Sequence, residues 1–158
     1  MSAPKPSLQL SRQPEAVVWP ETHYVFVEKI GPFQDTAARA WQELRRLTPQ
    51  LAKNHTITGY LSLYKMGPKI YRAGVSLASE PGELPPALKY LRFKGGSYAR
   101  FKMTGPYSNL PEASGRVFQM VAEQKIALRD DFCIENYVND PDTTPEDQLV
   151  TEILVPTA

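Results

Sequence analysis

The residue with the most chemistry to offer is Glu135, a carboxylate in the middle of the strand-like run Phe132 to Val138, among aromatic and apolar neighbours. A carboxylate in that setting is costly unless it is exposed, paired or used. Set against tyrosine faces, it would attract a cationic aromatic molecule through charge and ring quadrupole together. With its pKa raised by an apolar pocket, it would instead serve as a general base on water. The sequence equally allows a structural role, with Glu135 at a wet edge or paired to Arg100 or Arg72.

Other reactive side chains carry less. Cys133 could be a nucleophile, but no nearby histidine is implied, and a small packed thiol is the simpler reading. His23 and His55 are too few and too unsupported for a metal or haem site. Thr144-Pro145-Glu146-Asp147 reads as a capped helical turn with Thr144 as N-cap, and it lacks the glycine and the closing glutamate of a calcium loop. Lys89, Arg92, Lys94, Arg100 and Lys102 form a basic cluster that reads as solvated surface. No metal and no cofactor is expected.

The elements that must position Glu135 follow from an internal repeat. Tyr24-Val-Phe-Val-Glu-Lys-Ile-Gly-Pro-Phe33 returns as Tyr98-Ala-Arg-Phe-Lys-Met-Thr-Gly-Pro-Tyr107, 74 residues later (98 minus 24). Each copy is a strand ending in Gly-Pro-aromatic and followed by a helix. The first helix begins near Asp35, carries Ala37, Ala40, Trp41, Leu44 and Leu47 at helical spacing, and is expected to end at Pro49. Trp41 is therefore expected in the core. Strands follow over Thr58–Lys65 and Ile70–Leu77, joined at Met66-Gly67-Pro68. In the second copy, Pro111 suits a first helical turn and the strands are Phe132–Val138 and Leu149–Val155. Tyr60 to Pro68 aligns with Cys133 to Pro141 at an offset of 73, which pairs Tyr64 with Tyr137 and Ser62 with Glu135.

Alternation along each strand sorts the side chains into two faces. Val25, Val27, Ala99 and Phe101, apolar in both copies, should lie under the helices. The opposite face is expected to carry Tyr24, Phe26, Glu28, Tyr98, Arg100 and Lys102, joined by Tyr60, Ser62, Tyr64, Cys133, Glu135 and Tyr137. The ligand-binding candidates are thus Glu135, Tyr137, Tyr64, Tyr24, Phe26 and Tyr98, on a surface able to stack on a planar molecule and still offer hydroxyls.

With 158 residues, 42% of them hydrophobic, the chain can build one real core and is too short for two ordinary domains. The expected division is an arm over 1–16 and a single α+β domain over 17–158. That domain comprises two pseudo-symmetric β-α-β-β modules, at about 17–78 and 96–156, a linker over about 79–95 and a ligand cleft between the modules. A net charge of +1 gives no field that would favour nucleic acid or anionic lipid. A single cysteine excludes an internal disulfide, and no run approaches the ~20 apolar residues that span a bilayer. A cytoplasmic protein is the expectation.

These segments resemble the GyrI-like small-molecule-binding domain, also found as the effector-binding half of AraC-type and MerR-type multidrug regulators. The carriers are the two strand-Gly-Pro-aromatic-helix segments, Gly95-Gly96-Ser97-Tyr98-Ala99, Ile134-Glu135-Asn136-Tyr137-Val138-Asn139-Asp140-Pro141, and Thr151-Glu152-Ile153-Leu154-Val155-Pro156. The resemblance implies two β-α-β-β modules with a cleft between their sheets, and a buried glutamate, here Glu135, that reads cationic or polarised ligands. Asn136 stands where the family usually has an apolar residue. With some sixteen residues ahead of the match, no helix-turn-helix is expected. The implied roles are a binder of amphipathic or cationic aromatic compounds, a hydrolase of cyclopropane-containing electrophiles with Glu135 as catalytic base, or a gyrase-inhibitor-like protein partner.

Overall fold

The computed structural model describes residues 8–158. The strands are β1 (Gln9–Leu10), β2 (Glu15–Trp19), β3 (Thr22–Ile30), β4 (Ile57–Lys65), β5 (Ile70–Leu77), β6 (Lys89–Phe93), β7 (Gly96–Thr104), β8 (Cys133–Tyr137) and β9 (Val150–Pro156). Two α-helices, α1 (Phe33–Asn54) and α2 (Leu110–Glu123), follow β3 and β7. All strand pairings are antiparallel and form one sheet, in the order β1-β7-β9-β8-β4-β5-β3-β6, with β2 also on β7. Read inward from either side, each half has the same order, β3-β5-β4 and β7-β9-β8, and the halves join through the β4–β8 ladder.

The Gly-Pro turns of the repeat have matching backbones. Gly31 and Gly105 take φ of 135° and 131°, a region that side chains rarely tolerate, and each turn hands its strand to a helical segment. Helix α1 runs past Pro49 to Asn54 instead of ending there. Pro49 has no N–H for the carbonyl of Arg45, and the Thr48 hydroxyl donates to that carbonyl at 3.1 Å, which removes part of the proline's cost. The turn at 144–147 also differs, since a 3-10 segment spans Glu146–Gln148, Pro145 stands at its N-cap and no side-chain cap forms.

Two parts expected to be irregular belong to the sheet. Residues 1–7 of the arm lie outside the described residues, but Gln9–Leu10 and Glu15–Trp19 pair with β7. Within the supposed linker, Lys89–Phe93 pairs with β3 as β6. These additions curl the sheet. Six strand spacings separate β6 from β7, roughly 29 Å if flat, whereas the link Lys94-Gly95 spans at most about 11 Å. Pro20-Glu21 makes a second two-residue link, from β2 on one side to β3 on the other.

The curl gives two cores. One lies between sheet and helices and contains Val25, Val27, Ala40, Leu44, Phe101, Val117 and Ile153. The other fills the face away from the helices with Tyr24, Phe26, Leu61, Leu63, Tyr98, Ile134 and Leu154, all at most 4% exposed although no helix covers them. Among the described residues, no helix is long and apolar enough to cross a membrane.

Candidate functional site

Register fixes the position of Glu135. One row of cross-strand partners runs Val27, Ala73, Ser62, Glu135, Ile153, Phe101, and its apolar members belong to the core beneath the helices. Glu135 therefore faces the helices. Helix α1 packs on β3 and β5 and α2 on β7, which leaves the β4–β8 junction in the gap between them. The two modules share one continuous sheet, so the region between them lies on its helix face and not between separate sheets.

The adjoining row, Phe26, Gly74, Leu61, Asn136, Glu152, Lys102, faces the other way. Tyr24, Phe26 and Tyr98 lie on that side, as expected, but Tyr64, Cys133, Glu135 and Tyr137 do not join them. The central strands are apolar on both faces, so alternation alone could not say which face was which. Asn136 also points away from the helices and donates to Glu152 at 2.8 Å.

A chain of hydrogen bonds ends on the carboxylate. The contacts are Trp41 Nε1 to Tyr71 Oη at 2.8 Å, Tyr71 Oη to Ser62 Oγ at 2.7 Å, Ser62 Oγ to Tyr137 Oη at 2.9 Å and Tyr137 Oη to Glu135 Oε1 at 2.8 Å. An indole only donates and an ionised carboxylate only accepts, so the two ends set the direction of every hydroxyl between them. Each proton points toward Glu135.

Among the described residues, no lysine, arginine or histidine comes within salt-bridge distance of Glu135. Arg72 pairs with Glu28 at 2.8 Å, and Arg100 pairs with Glu15 at 2.9 Å and with Glu152 at 3.4 Å. Burial raises the Glu135 pKa, and the Tyr137 hydrogen bond offsets part of that rise. Burial, with Glu135 as the next contributor, pushes Tyr71 and Cys133 to about 12. The thiol stays protonated at neutral pH and packs in the core.

Rings frame this network. Trp41 and Tyr107 meet Tyr137 edge-on at centroid distances of 5.2 and 5.4 Å, and Phe33 meets Tyr64 and Tyr71 at 5.8 and 5.5 Å. Tyr71, Tyr107 and Phe33, which the sequence did not single out, thus join the candidate site, as does Trp41, which packs against the core as expected and also turns its indole N–H to Tyr71. The repeat carried the signal for two of them: Phe33 and Tyr107 are its paired Gly-Pro aromatics, and they rest on its paired tyrosines, Tyr64 and Tyr137.

The fold is shared with several solved structures. The EcmrR C-terminal domain is 16% identical over 96% of this chain and 98% of that one, with a TM-score of 0.74. SAV2435 bound to tetraphenylphosphonium is 16% identical over 92% and 94%, with a TM-score of 0.69. A hydrolase from Listeria innocua is 13% identical over 93% and 92%, with a TM-score of 0.61. No protein of curated function matches the sequence. The sequence itself matches the GyrI-like small molecule binding domain over residues 12–158, and the chain belongs to that family.

Proposed function

We propose that this protein binds amphipathic, cationic aromatic compounds in the gap between α1 and α2, with Glu135 opposing the positive charge and Tyr137, Tyr64, Trp41 and Tyr107 supplying ring surface. The observation that carries this reading is an acidic group held among aromatic side chains with no basic partner among the described residues. A cation that displaces water there compensates a charge the fold leaves unpaired, and the rings add cation–π attraction. Tyr24, Phe26 and Tyr98 fill the core on the opposite face and are left out of this proposal. The solved complex of SAV2435 with tetraphenylphosphonium makes that cation a suitable first probe. Titration followed by tryptophan fluorescence should saturate at one cation per chain, and a signal that never departs from the buffer control would refute the reading.

A second reading rests on the bond from the Tyr137 hydroxyl to a carboxylate of raised pKa. Glu135 would then be the catalytic base, taking a proton from water as the water oxygen bonds a ring carbon of a cyclopropane-bearing electrophile; the strained ring C–C bond breaks, and its electron pair takes up the proton that Glu135 returns. Hydrolysis that persists in Glu135→Gln would exclude this mechanism.

A further inference from the structure

The hydrogen-bond chain leaves two groups over. Glu135 is bonded through Oε1 alone among the described residues. Tyr64 Oη, in a side chain only 2% exposed, has no hydrogen-bond partner there. Ser114 of α2 lies close to that hydroxyl but closes no bond of standard geometry. Tyr64 is the cross-strand partner of Cys133, two residues before Glu135 on the same face, so its ring stands diagonally beside the carboxylate. The Glu135 charge also acts on the Tyr64 hydroxyl, after burial the largest influence on it.

A buried hydroxyl without a partner is expensive, and a ligand that supplies the missing bond recovers that cost. The Tyr64 hydroxyl can accept, and it lies within the influence of the Glu135 charge. A protonated amine brings positive charge together with N–H donors. A quaternary ammonium or phosphonium ion brings the charge alone and leaves Tyr64 unsatisfied.

We infer that the site selects protonated amines over permanently alkylated onium ions of the same shape and charge, with Tyr64 Oη accepting the ligand N–H and Glu135 opposing the charge. This selectivity rests on the cation site proposed above and adds a ligand class to it. Tyr64 is its specificity-determining residue, since Glu135 attracts either kind of cation.

The test compares two probes that differ in one group, a naphthylmethyl-dimethylammonium and a naphthylmethyl-trimethylammonium, titrated at pH 7 by calorimetry. Wild type should favour the N–H compound by about tenfold, the scale of one charge-assisted hydrogen bond. Tyr64→Phe should cut that preference to about twofold or less, by weakening the N–H compound. The variant loses only an unpartnered hydroxyl, so its thermal midpoint should equal or exceed that of wild type, which separates loss of selectivity from loss of fold. Equal binding of the two probes by wild type, or an undiminished preference in Tyr64→Phe, would overturn the inference and leave the cation site standing. Binding of both probes that is indifferent to Glu135→Gln would contradict the cation site itself, and the inference with it.

Discussion

Ser62 and Glu135 are cross-strand partners in the β4–β8 ladder and are also the two positions that the internal repeat aligns, 73 residues apart (135 minus 62). The repeat therefore meets its own copy at this pair, where the halves of the sheet join. One half supplies a carboxylate there and the other a hydroxyl. Ser62 links Tyr71 to Tyr137, and Tyr137 donates to Glu135, so the hydroxyl serves the carboxylate through the hydrogen-bond chain.

Ser62→Ala should destabilise the fold by about 1–3 kcal/mol, because the Tyr71 proton loses its acceptor and Tyr137 loses its donor while both rings stay buried. Equilibrium unfolding in urea measures this. A change within about 0.5 kcal/mol, the range of an ordinary surface substitution, would contradict the linked chain.

Glu135→Gln should stabilise the protein at neutral pH. Burial raises the folded pKa of Glu135 above the unfolded value, about 4.3 for glutamate. The native state thus holds the proton more tightly, and wild-type stability falls as pH rises from the unfolded pKa through the folded one. Thermal melts from pH 4 to pH 8 should show the variant ahead at the alkaline end and level with wild type near pH 4. Curves that run parallel across this range would mean that Glu135 is not desolvated in the folded protein.

Gly74→Ala should cost about 1–3 kcal/mol, the usual scale of overpacking. A Cβ at Gly74 would lie 2.5 Å from the Tyr24 ring and 2.6 Å from the Val25 carbonyl oxygen, because the ring lies across the sheet over this glycine. Gly115→Ala, inside α2 with nothing within 4 Å of the added methyl, should instead stabilise by about 0.5–1 kcal/mol. Chemical denaturation of the two variants side by side checks both signs.

The repeat made the scaffold legible: its strand-Gly-Pro-aromatic-helix units reappear as β3–α1 and β7–α2, and Val25, Val27, Ala99 and Phe101 lie under the helices as their alternation predicts. Strand β6 was hidden because Lys89 to Phe93 pairs on only one side and its charged residues read as surface. The inverted face of β4 and β8 has a different origin. Leu61, Leu63 and Ile134 fill the curl of the sheet, while Tyr64 and Cys133 fill the helix side, so both faces are buried and period-two alternation loses its sign. Glu135, Tyr64 and Tyr137 come together on one face. Tyr24, Phe26 and Tyr98 are separated from them by the thickness of the sheet.

In the proposed site, the Glu135 charge draws a cation into the space between the helices. Calorimetric titration of tetraphenylphosphonium into wild type and Glu135→Gln at pH 7, with matched melts to show that both are folded, tests it most directly. Affinity should be at least about tenfold weaker in the variant, about 1.4 kcal/mol, with a similar loss in wild type once pH falls below the raised pKa of Glu135. Equal affinities in the two proteins would contradict it.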